Sequence, residues 1–141
     1  MTKPVRIARL VVARRKLRDV AAGELAEADF VARNAAEIHV GAISALDNAL
    51  RFVPVVRAND LLLLEAERQA ARDCVRHAAE QLEAARAASA KQRVRLVGRE
   101  RDLRLAEELH ERVIDERDAR IGRAEQGEHD DRSAARQVNR P

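Results

Sequence analysis

Four histidines (His39, His77, His110 and His129) and one cysteine, Cys74, are the side chains here with the chemistry to hold a metal or move a proton. A helical zinc site needs two histidines about one turn apart, or cysteines in pairs. No two of these histidines lie within four residues of each other. Serine is scarce, and neither a glycine-rich phosphate loop nor the sharp turn that presents a nucleophilic serine occurs. The expectation is therefore no catalytic residue, no metal, no cofactor and no enzyme. His39 and His110 fall instead on helical contact lines, where a polar residue sets register. Cys74 reads as a small residue on a helix; a lone cysteine excludes an internal disulfide and suits a reducing cytosol.

The elements that carry these residues follow from composition. Alanine (28) and arginine (24) dominate the 141 residues, 36% are charged, and the only aromatic residues are Phe30 and Phe52. Such a mixture favours long helices or coiled coils with a thin core, close to the boundary of disorder. Arginine outnumbers lysine 24 to 3, which points to a GC-rich bacterial genome. No apolar run reaches the roughly 18 residues of a membrane span. Arg6 and Arg9 interrupt any signal-peptide core, while the acid-free, arginine-rich start also suits an organellar transit peptide.

The chain reads as an all-α, long antiparallel two-helix coiled-coil hairpin in a single domain. Its first helix runs over about 5–52, its tip loop over about 53–59 and its second helix over about 60–127, with a frayed tail from about 128 to 141. The first contact line is Leu10, Ala13, Leu17, Ala21, Leu25, Ala28, Ala32, Ala35, His39, Ala42, Leu46, Ala49 and Val53, with a stutter near Ala21. Pro54 ends the helix, and Asn59 or Asp60 caps the next. The second line is clearer, with Leu61, Val75, Leu82, Leu96 and Leu103 separated by multiples of seven. Leu64, Ala71, Ala78 and Ala85 complement it, and Arg68, Ser89, Gln92 and Arg99 interrupt it. Glu100–Arg104, Glu108–Arg112 and Glu116–Arg120 form i,i+4 pairs on the outer face.

A short loop folds two such helices back on each other, placing position i opposite about 112 minus i, with the second helix projecting alone beyond about residue 111. Charge agrees: residues 1–18 carry seven basic and no acidic side chains, and residues 99–132 carry eight basic and twelve acidic ones. At the tip, FVPVVRAND at 52–60 precedes four leucines, which cannot all face one seam. Either Phe52, Val53, Val55 and Val56 close over Leu61–Leu64, or Phe52, Val55, Val56, Leu62 and Leu63 present a surface to a partner. The basic start is a solvated face, a site for an acidic protein, or a nucleic-acid-contacting helix; the early turn at Pro54 argues against the last.

IARLVVARRKLRDVAAGEL at 7–25 resembles the opening of the YscO/FliJ family of type III secretion and flagellar export proteins. RAEQGEHDDRSAAR at 123–136 resembles that family's closing motif at Glu125, Gln126, Asp130 and Asp131, while Gly127 and His129 depart from it. The resemblance implies a non-enzymatic central stalk of a type III secretion export ATPase, cytoplasmic and peripheral to the inner-membrane secretion apparatus. Arg6, Arg9, Arg14, Arg15, Lys16 and Arg18, with Glu125, Gln126, Asp130 and Asp131, would then enter the hexameric ATPase. The tip residues Phe52, Val55, Val56, Leu62 and Leu63 would meet the export gate protein or export chaperones. The alternatives are a self-associating coiled-coil scaffold and a basic-helix nucleic-acid binder. A monomer is expected, with no nucleic acid bound and no membrane insertion.

Overall fold

A computed structural model describes residues 2–55 and 57–138. Helix α1 spans Lys3–Ala49 and helix α2 spans Ala58–Val138. The two pack against each other as a helical hairpin, with no strand among the described residues. Packing divides the chain into two units, Met1–Arg18 with Gly98–Pro141 and Asp19–Val97. Among the described residues, no helix is long and apolar enough to cross a membrane.

Along α1 a line of buried and half-buried positions runs through Pro4, Ile7, Val11, Arg14, Arg18, Ala21, Leu25, Ala28, Ala32, Ala35, His39, Ala42, Leu46 and Ala49, with Ala8, Ala22, Glu24, Asp29 and Ala36 half-buried beside it. Steps of three and four alternate without a break, so the expected stutter near Ala21 is absent. Leu10, Ala13 and Leu17, expected on the seam, are exposed. The chain keeps its phase by placing Arg14 and Arg18 on the contact line, where an arginine's aliphatic stem covers the partner helix and its head reaches out. In α2 the alternation runs unbroken from Leu64 through Arg68, Ala71, Val75, Ala78 and Leu82 to Val113. Leu61 is half exposed and lies before its start. His39 and His110 do stand on the two lines.

Each unit has its own small core. Val11, Leu103 and Ala106 cluster in the terminal unit, beside buried Ile7 and Val113. Ala21, Ala78, Leu82, Ala85 and Ser89 are buried in the other. No large side chain is fully buried among the described residues. A fully buried leucine contributes about 1.5–3 kcal/mol and an alanine well under half of that, so the margin of stability rests on many small contacts.

The turn differs from expectation in a way that geometry explains. Helix α1 ends at Ala49, before Pro54 acts, and residues 53–55 lie beside the first turns of α2, where Val53 and Val55 share a cleft with Leu63 and Leu64. Extended chain advances about 3.3 Å per residue and helix about 1.5 Å, so a few loop residues cover many helical ones. The register moves accordingly: Ala49 meets Arg68 and Arg14 meets Asp102, four or five places further along α2 than expected. Thr2–Pro4 lies beside Val113, Glu116, Arg117 and Arg120, so α2 runs free of its partner only beyond Arg120, rather than beyond residue 111. Neither Asn59 nor Asp60 is the cap, because α2 starts at Ala58 and the Arg57 carbonyl accepts from the Asp60 and Leu61 N–H groups. Asp60 sits in the first turn, where the helix dipole favours its charge.

Residues 128–138, expected to fray, are helical. Gln126 bonds to Asp130 across Gly127, and Arg132 pairs with Glu128 just beyond it, one turn apart in each case. The three outer-face glutamate–arginine pairs expected earlier form no ion pair among the described residues. Arg68–Glu65, Arg76–Asp73, Arg86–Glu83 and Arg99–Asp102, spaced by three, do.

A Cβ added at Gly41 meets no atom within 4 Å. Gly41→Ala should therefore stabilise the hairpin by about 0.5–1 kcal/mol through helix propensity alone. Chemical denaturation followed by circular dichroism checks this.

Candidate functional site

Both ends of the chain enter one unit, and there the basic start of α1 meets the acidic stretch of α2. Arg14 Nη1 lies 3.3 Å from Asp102 Oδ2, and Arg15 Nη2 lies 3.0 Å from Glu107 Oε1. Asp102 also faces Arg99 at 4.0 Å. These pairs are half exposed, so each contributes at most about 1 kcal/mol and weakens with salt. Their main effect is to hold register. The six basic residues assigned to ATPase contact thus fall into two sets. Arg14, Arg15 and Arg18 face or flank the partner helix, Arg14 and Arg18 half-buried, whereas Arg6, Arg9 and Lys16 are exposed.

Glu125, Gln126, Asp130 and Asp131 are all exposed on the part of α2 that has passed the start of α1. Gln126 donates to Asp130 at 3.0 Å, and His129 Nδ1 lies 3.9 Å from the same carboxylate. The structure does not join this acidic group to Arg6–Arg18; each presents its own face.

At the turn, Phe52 is 91% exposed, Leu62 71% and Leu63 64%. Val55 is at the edge of exposure, while Val56 lies outside the described residues. Val53 and Val55 line one cleft with Leu63 and Leu64, yet Leu63 stays largely exposed, so Phe52, Leu62 and Leu63 are all uncovered apolar side chains at the turn. An exposed apolar group at a turn, rimmed by Arg51, Arg57 and Asp60, has the anatomy of a contact surface.

Two of the four polar interruptions of the seam, Arg68 and Ser89, have partners across it, whereas Arg99 pairs with Asp102 on its own helix. Arg68 Nε donates to the Ala49 carbonyl at 3.0 Å, satisfying an acceptor that the end of α1 leaves open, while its Nη1 holds Glu65 at 2.8 Å. The buried Ser89 hydroxyl donates to Asp29, which also takes Arg93 at 3.4 Å. Glu24 pairs with Arg95 at 3.2 Å. Gln92 Oε1, buried on the seam, has no hydrogen-bond partner among the described residues. Sequence reading marked Arg68, Ser89, Gln92 and Arg99 as interruptions but missed Asp29, Glu24 and the Ala49 carbonyl. The available signal was that each polar seam residue in α2 needs a complement in α1.

The Ser89 hydrogen bond is the largest cause that holds the Asp29 carboxyl below its ordinary value; burial opposes it, and the charge and hydrogen bond of Arg93 and the charge of Arg33 add smaller lowering effects. A carboxyl whose pKa is lower folded than unfolded stabilises the fold above its unfolded value, near 4, and that contribution is lost as pH falls through the folded value. Ser89→Ala should raise the Asp29 pKa toward 3.8, measurable by carbon-detected NMR titration, and move the acid-unfolding midpoint upward. Arg68→Met should cost about 1 kcal/mol by leaving the Ala49 carbonyl unpaired, read from the denaturation midpoint.

Among the described residues, no group of three or more His, Cys, Asp or Glu side chains is placed to hold a metal ion. Comparison with family models, curated proteins and solved structures finds no match to this chain.

Proposed function

We propose that this chain is a non-enzymatic central stalk of a type III secretion export ATPase. It promotes the assembly or activity of the hexamer and links it to the export gate protein and export chaperones. The observation that carries this reading is the gathering of both chain ends into one unit, basic on α1 and acid-rich on α2, with an uncovered apolar group at the turn between the helices. A stem of exposed, alternating charge suits shallow and reversible contacts inside a polar ring. An apolar tip suits a firmer anchor. On this reading Arg6, Arg9 and Lys16 contact the ATPase, together with Glu125, Gln126, Asp130 and Asp131. Arg14, Arg15 and Arg18 act mainly by holding α1 on α2. Phe52, Val55, Leu62 and Leu63, with Val56, meet the gate or a chaperone. The protein works in the cytoplasm, at the periphery of the inner-membrane apparatus.

The test is ATP hydrolysis by the export ATPase of the same organism, with and without the full chain. Stimulation is expected; it should be lost in an Arg6→Glu/Arg9→Glu variant and on removal of residues 122–141. Val55→Ser with Leu62→Ser should preserve stimulation and lose gate binding. No effect from a protein that is helical by circular dichroism would overturn the stalk and favour a scaffold.

A further inference from the structure

Leu10 and Leu17, which the seam passes over, share one side of the terminal unit with two leucines of α2. Leu10, Leu17 and Leu109 stand at the same heptad position, one before the seam residues Val11, Arg18 and His110, and in an antiparallel pair that position lies on one side. Leu105 comes one turn before Leu109. The opposite side is the one that Arg15 and Glu107 close, beside Glu100 and Arg104. All four leucines are between 40% and 54% exposed, although the seam next to them admits Arg14, Arg18 and His110. The charge around them is one-signed on α1. Residues 1–18 hold seven basic and no acidic side chains; Arg14 and Arg15 are engaged by Asp102 and Glu107, whereas Lys3, Arg6, Arg9 and Lys16 are exposed. On α2, Arg101 and Arg112 flank the two leucines, with Glu108 between them, and Asp102 is held by Arg14 and Arg99.

We propose that this side of the terminal unit docks on an anionic lipid bilayer, with Leu10, Leu17, Leu105 and Leu109 entering the interface and the basic residues of α1 meeting the headgroup phosphates. A bilayer offers negative charge at its surface and hydrocarbon just below it, so one surface satisfies both kinds of side chain at successive depths. Lysine and arginine stems are long enough to keep their charged ends at the phosphates while neighbouring leucines go deeper. An acidic protein face would satisfy the arginines but set its own carboxylates against four leucines. Nucleic acid would take up the charge and leave the leucines in water. Among the described residues no helix is long and apolar enough to cross a membrane, so the chain lies on the bilayer and does not span it. With four leucines and no acyl chain the attachment is reversible. Such docking does not depend on the stalk reading; where both hold, Arg6, Arg9 and Lys16 serve bilayer and hexamer in turn.

The test is co-sedimentation of the full chain with vesicles made of phosphatidylcholine and phosphatidylglycerol in equal parts, against vesicles of phosphatidylcholine alone. Binding is expected to the first and little to the second, and it should fall as salt rises. Arg6→Gln with Arg9→Gln should weaken it by about tenfold or more. Leu10→Ser with Leu17→Ser keeps every charge and should weaken it by about tenfold as well. Both variants alter exposed side chains and should keep their helicity by circular dichroism. Arg33→Gln with Arg86→Gln removes the same charge from the unit Asp19–Val97 and should bind as the wild type does. A polarity-sensitive dye on Leu109→Cys, in a Cys74→Ser background, should shift to the blue when vesicles are added. No binding at low salt, or equal binding to neutral vesicles, would overturn the proposal. So would a Leu10→Ser/Leu17→Ser variant that binds as tightly as the wild type, which would reduce the contact to charge alone. If vesicles fail to bind while the export ATPase protects the dye at position 109, the face belongs to that protein instead.

Discussion

A contact line rich in alanine holds two helices together only while both keep the same 3.5-residue phase, because among the described residues no large side chain is fully buried to lock a slipped register. That constraint accounts for choices that hydrophobicity alone does not. Arg14 and Arg18 stand on the line although Leu10 and Leu17 are close by, because the leucines are out of phase with Ala21 and Leu25. Two of the polar residues that interrupt the line in α2 have partners across it, Ser89 in Asp29 and Arg68 in the end of α1. These contacts supply specificity that an alanine seam lacks, since a shift by one heptad would leave each polar group facing an apolar one.

The second helix was legible because Val75, Leu82, Leu96 and Leu103 repeat at sevens, and no other face competes with them. The first was legible from Ala21 onward for the same reason. Before Ala21 the most apolar line and the contact line separate, and sequence reading followed the apolar one. Register differs from expectation at the turn, where α1 ends at Ala49 and residues 53–55, outside either helix, lie beside the start of α2, which changes how many residues of α2 lie beside α1. The exposed apolar tip could be read from four consecutive leucines, which no single helical face accommodates. The cross-seam partners could not, because which residues meet depends on that same register.

The two flanks of the Asp19–Val97 unit divide the work of being polar. On one, Asp29, Arg33, Arg86 and Arg93 keep the helix pair hydrated and add charge to the Ser89 contact. The residues that line the other, among them Val31, Ile38, Cys74 and His77, include no Asp, Glu, Lys or Arg. Because the two flanks lie on either side of one seam, the effect of a substitution there depends on its heptad position as much as on residue type.

The unbroken alternation of threes and fours in both helices also restricts how such a chain can change length. Loss or gain of residues in one helix alone would misalign every cross-seam contact from that point to the chain end. Seven residues removed from α1 and the seven opposite them removed from α2 would leave the seam, the Arg68 closure and the charged ends in phase. Descendants of this sequence are thus free to vary in paired heptads, so the hairpin can be fitted to assemblies of different size without redesign of its ends.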